Sequence, residues 1–412
     1  MFTAFSTALS GMAANSAAVD VISNNLANLN TAGFKATSAE FQEMMAQSLG
    51  QGASSDVGMG VGPVTTTRVF TQGSIQTTGS ATDVAIQGGG FFVVRDQNNQ
   101  TLFTRAGNFQ IDQKGNLVTI GGQNVQGWMA TAGVVNPTGA TTNITIPGGA
   151  VIPGSATTKM SLSANLDATT ATGGAFSVPI SVVDSLGATH VLTTNFTKTG
   201  ANAWSYTVTI PQADLSQGGT AQVAKGTLTF DGNGNLTSPA ATDAPTSISI
   251  TGLADKASDM TIAWSMFDST GKGLLTQFAQ KSATSNTTQD GVPPGQIISV
   301  GIQDGGLIVA NYSNGLQATV AQLALAAIRN PESLASVGDN NLAATAATAA
   351  AVIGAAESGG RGKIMGGALE ASTADIAKEF TNLITVQRSY QANSKIVTAS
   401  DQLLQETVAL IR

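Results

Sequence analysis

From residue 376 to the end of the chain an apolar side chain stands at every seventh position: Ile376, Leu383, Tyr390, Val397, Leu404 and Ile411. The column beside it is mixed, with Phe380 and Val408 apolar and Gln387, Ser394 and Asp401 polar. The first 30 residues repeat the spacing with Phe5, Met12, Val19 and Leu26, accompanied by Phe2, Leu9, Ile22 and Leu29. A repeat of seven marks a seam along which a helix packs lengthwise against other helices. Two long terminal helices are therefore predicted. One covers residues 2 to about 29 and stops near Gly33. The other begins at a cap formed by Ser372 and Asp375 and runs to Arg412 without Gly or Pro.

The middle of the chain changes period. From about Arg68 to Trp128, short alternating runs such as Asp83-Val-Ala-Ile-Gln and Phe91-Phe-Val-Val-Arg predict antiparallel strands. One turn recurs, as Asp112-x-x-Gly115, Asp184-x-x-Gly187, Asp231-x-x-Gly234 and Asp268-x-x-Gly271. Asp bonds a turning backbone and Gly takes the left-handed position, so each predicts a hairpin. The Asp231-Gly-Asn-Gly-Asn235 stretch is close to a calcium loop but has Leu236 where Gly belongs and Thr242 where the bidentate Glu belongs.

Composition shifts near 139–154 and 282–294 bracket a β-rich insert carrying Trp204, Tyr206 and Trp264. The reading is a multidomain α+β chain with paired N- and C-terminal helices (coiled-coil-like), a core antiparallel β-domain and an inserted outer β-domain. Its parts are residues 1–30 with 370–412 for helical assembly, 31–70 as linker, 71–140 with 288–365 as core, and 141–287 as insert. Leu316 to Ala327 fits strand or helix, and the Ala-rich run Ala343 to Ala356 is unassigned.

Chemistry narrows the function. The chain has one histidine, His190, and no cysteine, which removes thiol nucleophiles, disulfides and the usual zinc sites. His190 has no nucleophile elbow near it, and Gly58-Met-Gly-Val-Gly62 lacks the strand and helix a phosphate loop needs. The expectation is no enzyme, no cofactor and no metal. A net charge of -7 without a Lys/Arg cluster argues against nucleic acid, and no run reaches transmembrane length. The N-terminal helix has Asp20 as its only charge, and its polar side is neutral, including Ser16, Ser23, Asn24 and Asn25. A solvated surface helix usually carries charge there, so those four residues are candidates to face a confined aqueous channel. Burying six apolar side chains contributes on the order of 10–15 kcal/mol, whereas fixing about forty backbones costs several times more. A lone pair of such helices is marginal; many copies side by side are not.

The segment SGMAANSAAVDVISNNLANLNTAGFK, residues 10–35, resembles the signature of the flagellar rod and hook protein family. ATDVAIQGGGFFVV and TRAGNFQIDQKGNLVT resemble its core β-domain, and ALEASTADIAKEFTNLITVQRSYQANSKIVTASDQLLQETVAL resembles its C-terminal helix. Ser372-Thr-Ala-Asp375 departs mildly from the more usual Ser-Asn-Val-Asp. Rod proteins generally lack a large inserted β-domain, so the insert points to the hook branch.

The resemblance implies an extracellular structural subunit exported by the type III apparatus without a cleaved signal peptide. It also implies a helical homopolymer, a curved tube that carries torque, with the rod, hook cap, hook–filament junction proteins and export gate as partners. Phe41-Gln-Glu-Met-Met45 is similar to an export motif, with Phe41 and Met45 as its apolar pair; a helical turn packing on a neighbour is the other reading. A distal rod subunit is the alternative function. A secreted glycan-binding protein using Trp204 and Trp264 is a further one.

Overall fold

The computed structural model describes residues 2–44, 47–48, 56–131, 133–149, 151–216 and 219–410. The chain forms two compact units. Unit 1 comprises Met1–Gly148, Ser299–Ala310 and Gln317–Arg412, and unit 2 comprises Gly149–Ile298 and Asn311–Leu316. The fold is mostly β with a helix near each end, α1 (Phe2–Ala27) and α2 (Ile376–Leu410).

Helix boundaries follow local chemistry. After α1 the chain turns through Leu29 to Gly33, which has φ 70. A Cβ there would meet the Arg105 carbonyl carbon at 2.5 Å, so both conformation and space require glycine. At the start of α2, Asp375 Oδ1 accepts hydrogen bonds from the Ala377 and Lys378 amides at 2.8 and 3.1 Å. Asp375 is thus the cap. Ser372, expected to share that role, instead accepts from the Ala374 amide before the helix begins.

Residues 31–70, expected to be a linker, pair with themselves. Thr37–Glu40 runs antiparallel to Thr65–Arg68, Glu43 bridges Val61, and Gln47–Ser48 pairs with Asp56–Val57. Ser10 Oγ of α1 accepts a hydrogen bond from the Val61 amide, so this long hairpin is attached to the helix. The many glycines that read as a connector serve that close approach: a Cβ on Gly60 would collide with Ser10 Oγ at 2.4 Å.

The β-core of unit 1 centres on Phe91–Arg95, which pairs with Thr101–Thr104, Asn124–Thr131 and Leu325–Ala327. Thr101–Thr104 continues to Asn341–Ala343, and Asn124–Thr131 to Gln317–Leu323. Every one of these pairings is antiparallel. Phe91, Val93, Phe103, Trp128, Ala326 and Leu342 bury a common face. The ambiguous stretch Leu316 to Ala327 thus holds two strands, Gln317–Leu323 and Leu325–Ala327. Despite its helix propensity the Ala-rich run is not helical; Val352–Gly354 pairs with Leu325–Ala327, because tertiary pairing outweighs a weak local preference. Two further pairs bring the C-terminal part onto the N-terminal part, Val84–Gln87 with Lys363–Gly366 and Ile75–Thr77 with Ala368–Glu370.

Unit 2 contains two five-stranded sheets that share one core. One sheet includes parallel pairs, Lys159–Asn165 with Met260–Ser265 and with Leu275–Thr276. The other is antiparallel from Ala175–Val183 through Thr189–Gly200 and Ala203–Thr209 to Gln222–Phe230. Trp204 and Trp264 are fully buried, and Tyr206 meets Trp264 edge-on at 5.0 Å. Neither tryptophan offers a face to a glycan.

All four Asp-x-x-Gly motifs form the same turn. Each Asp Oδ1 accepts from the amides two and four residues later, and Gly115, Gly187, Gly234 and Gly271 have φ between 81 and 88. Asp96 makes a fifth, with Asn99 in the left-handed position at φ 62. Sequence reading misses it because Asn replaces Gly.

His190 is buried in unit 2 among carboxylates. Its Nε2 lies 3.0 Å from Asp184 Oδ2 and 3.9 Å from Asp255 Oδ2, and its Nδ1 lies 3.2 Å from Asp214 Oδ2. These come from three places: the Asp184 turn, the short helix Gln212–Asp214 and the loop containing Asp255. Burial opposes the imidazolium, but the Asp184 and Asp214 carboxylates outweigh it and raise the pKa above the usual histidine value. A raised folded-state pKa gives stability that is fully present below the unfolded value of about 6.5 and is lost as pH rises through the folded value. The melting temperature of unit 2 in the full chain should therefore fall by a few degrees between pH 6 and pH 9, at about 2–4 °C per kcal/mol. The His190→Gln variant should show no such fall; equal slopes for the two proteins in differential scanning calorimetry would refute this.

Candidate assembly surface

The two helices pack antiparallel within unit 1. Gly11 of α1 faces Asn393 of α2, and Asn25 Nδ2 donates to Glu379 Oε1 at 3.0 Å. On α1 the buried line is Ala8, Gly11, Asn15, Ala18, Ile22 and Asn25. Its alternating steps of three and four are those of a heptad seam. A Cβ on Gly11 would lie 2.7 Å from Asn393 Nδ2, so the small side chains set how close the helices come. On α2 the matching face runs Glu379, Leu383, Val386, Asn393, Val397, Ser400 and Leu404, all buried or half-buried.

The larger apolar residues sit beside this seam. Met12, Val19 and Leu26 are half-buried, and Phe5 and Leu9 are 36% and 53% exposed. Ile22 lies in the seam itself and Leu29 in the turn after α1. On α2, Leu383, Val397 and Leu404 belong to the seam face, while Ile376, Phe380 and Tyr390 are exposed at 55%, 49% and 40%. The companion column on the seam is Glu379, Val386, Asn393 and Ser400, not the one headed by Phe380. Ile384, Ile396 and Leu403 are also exposed, and a seven-residue count does not single them out. Phe2 and Val408 lie within the two helices; Ile411 and Met45 fall outside the described residues.

The polar candidates divide. Ser16 and Ser23 are exposed, and Asn24 lines the rim of a cavity. Asn25 is not available to a channel: it is 1% exposed, donates to Thr37 O and Glu379, and accepts from the Thr37 amide. Its amide satisfies the backbone where the chain leaves α1, a use the neutral polar side does not disclose. Phe41 is 48% exposed, lies just beyond a strand and not in a helical turn, and lines a groove of about 310 Å³ with residues of α1 and α2.

Both helices are rooted at one buried charge cluster. Glu370 Oε1 accepts from Lys35 Nζ at 2.6 Å and from the Gly73 amide at 2.8 Å, and Oε2 accepts from Arg105 Nη1 at 3.2 Å. The Glu370 side chain is completely buried. Lys35 also donates to Thr71 O, and Arg105 to Gly88 O, with its guanidinium 5.5 Å from the Phe91 ring centre. Burial pulls the Lys35 ammonium below its ordinary pKa, and the Glu370 carboxylate partly restores it. Backbone bonds reinforce the junction, from the Gly33 amide to Glu370 O and from the Thr373 amide to Phe34 O. Sequence reading misses this cluster, although charged residues are scarce enough that Lys35 beside Gly33 is a usable signal.

Four family descriptions match along the chain. They are "Flagella basal body rod protein" over residues 5–35, "Flagellar hook protein FlgE/F/G D1 domain" over 85–165, "Flagellar basal body protein FlaE D2 domain" over 155–292, and "Flagellar basal body rod FlgEFG protein C-terminal" over 365–410. The flagellar hook protein of Escherichia coli K12 is 36% identical over 99% of this chain and 100% of its own length. The chain belongs to the flagellar hook protein family. The hook protein of Treponema pallidum is 33% identical over the whole of both chains. A crystal structure of the Helicobacter pylori flagellar hook protein FlgE2 aligns with a TM-score of 0.44 at 14% identity, covering 65% of this chain and 93% of that one. On its likeness to the Escherichia coli and Treponema pallidum proteins, this protein is a subunit of the bacterial flagellar hook, and the family is a structural one. No helix among the described residues is long and apolar enough to cross a membrane.

Replacing Glu370 by Gln leaves two buried cations without their counter-charge, a change that costs about 3–5 kcal/mol. Urea unfolding of the full chain should show that loss in unit 1 with unit 2 unchanged; a loss under about 1 kcal/mol, the size expected of an exposed pair, would remove Glu370 from the role of tie.

Proposed function

We propose that this hook subunit assembles helically into a curved, flexible tube that transmits torque from rod to filament, with the paired terminal helices forming the inner wall around an export channel. One observation carries the reading: the helix pair leaves several large apolar side chains in water. Ile376, Phe380, Ile384, Ile396 and Leu403 of α2 are between 46% and 58% exposed, and Leu9 of α1 is 53% exposed. Exposed apolar area of this kind is stabilised by a partner, and a second helix pair of the same chain brings apolar side chains of the same kind. Heterologous contacts that do not close generate helical assemblies. Near-absence of charge on α1 suits a wall past which unfolded cargo slides, and Ser16 and Ser23 are the exposed α1 positions best placed for it. Export through the type III gate, an extracellular position, and contacts with rod, cap and junction proteins complete the proposal.

Unit 2 would form the outer surface of the tube, where sheets rich in Ser and Thr slide over neighbours as the tube bends. The strand Ala283–Gln289 supports this part of the reading, because all of its residues are exposed and all are Ala, Ser, Thr, Asn or Gln. Such a surface carries no charge and little apolar area, so a neighbour that slides across it breaks no strong contact.

The test is polymerisation of the purified full chain, read by electron microscopy and sedimentation. Phe380→Ser with Ile384→Ser should remove tubes while leaving the melting temperature within about 2 °C, because both residues are exposed in the single chain. Normal tubes from that double variant would sink the reading.

A further inference from the structure

A cavity of about 660 Å³ lies in unit 1 beside the root of α1. Its lining contains three cations, Lys35, Arg68 and Arg105, and one carboxylate, Asp339. Glu370 answers Lys35 and Arg105 from beneath. The Arg68 side chain has no ion pair or hydrogen bond among the described residues, and burial draws its pKa down with no anion to offset it. Arg105 is 7% exposed, and its Nε is buried without a partner. Asp339 forms no ion pair with any of the three among the described residues, and its carboxylate lies close to Gly121. The lining therefore includes one half-buried cation, Arg68, that no anion answers, and Arg105, whose Nε is an orphaned buried donor. A buried donor is ordinarily satisfied, and a half-buried cation is stabilised by a counter-charge.

We propose that this cavity is the acceptor half of a contact between subunits, taking an acidic side chain of a second copy whose carboxylate pairs with Arg68. Three features favour a second copy over a free anion. Its chain carries 25 acidic against 18 basic residues, so each neighbour brings surplus carboxylate. Asn24 and Asn28 on the rim belong to the end of α1 and the turn after it, which places the cavity beside the helices that the tube reading puts at subunit contacts. Asn340, held by its bond to Ala32 O, completes a rim of amides suited to a carboxylate. The inference rests on the tube reading and adds a polar, directional contact to its apolar ones.

The experiment measures the critical concentration for polymerisation of the full chain at low and high sodium chloride. Wild type, Arg68→Gln, Arg68→Lys and Asn24→Asp are compared; the last, at an exposed rim position, supplies a carboxylate from within. Arg68→Gln and Asn24→Asp should each raise the critical concentration at least about tenfold at low salt and flatten its salt dependence, with Arg68→Lys between. Should Arg68→Gln fail to fold, Asn24→Asp alone decides. Wild-type behaviour of both variants overturns this inference and leaves the tube reading standing, whereas absence of tubes from wild type removes both. If inorganic phosphate raises the melting temperature of wild type but not of Arg68→Gln, and assembly is indifferent to the variant, the cavity takes a free anion and the proposal fails.

Discussion

Glu370 receives Lys35 from the segment leaving α1, Arg105 from the β-core and the Gly73 amide from the segment entering it, and the organisation of unit 1 depends on that one carboxylate. Four stretches distant in sequence thus meet at one side chain with no exposed surface. Removing a carboxylate from water is costly, and the cost is offset only when its oxygens find donors. That requirement holds the end of one helix and the start of the other against the same core. The antiparallel packing of α1 on α2 follows from where the chain is forced to begin and end its excursion.

From that root the seam is built of small residues. Ala8, Gly11 and Ala18 allow close approach, and Asn15 turns its amide back to Gly11 O at 2.7 Å. Small residues bury little apolar area each, so the pair draws modest hydrophobic stabilisation at about 25 cal/mol per Å². The larger side chains that would contribute more are displaced to the flanks. This division separates two tasks, since the seam defines the pair and the flanks remain for whatever packs against it.

Sequence periodicity discloses the helices, the β-rich middle and the recurrent Asp turn because each is a local pattern with a local cause. On α1 its seven-residue column falls beside the seam rather than on it. Counting large apolar residues selects Phe5, Met12, Val19 and Leu26, but a close helix pair selects for smallness, and Ala8, Gly11 and Ala18 look ordinary in a chain rich in both residue types. Similarly, Gly58 to Gly62 read as a loose connector because glycine permits mobility, whereas here it permits contact with Ser10. Asn25 reads as polar and outward, yet an amide offers both donor and acceptor and so suits an internal junction. The groups hidden from sequence are those whose partners are distant: Glu370 lies 335 residues from Lys35, and Asp214 and Asp255 reach His190 from a short helix and a separate loop.

A seam built mainly of small side chains raises a problem of register. Small side chains that fit one groove fit the next turn nearly as well, so the seam itself discriminates weakly between alignments. Polar pairs do discriminate, because a slip leaves a buried donor or charge without its partner. Asn25 with Glu379 is such a pair, placed at the rooted end of the helices, whereas Asn393, about four turns further along, meets only the bare backbone of Gly11. The cluster at Glu370 supplies the strongest discrimination, and it acts before either helix begins. Register is thereby set at the root and propagated outward through a seam that only needs to fit, which leaves the exposed flanks free of any part in defining the fold of the single chain.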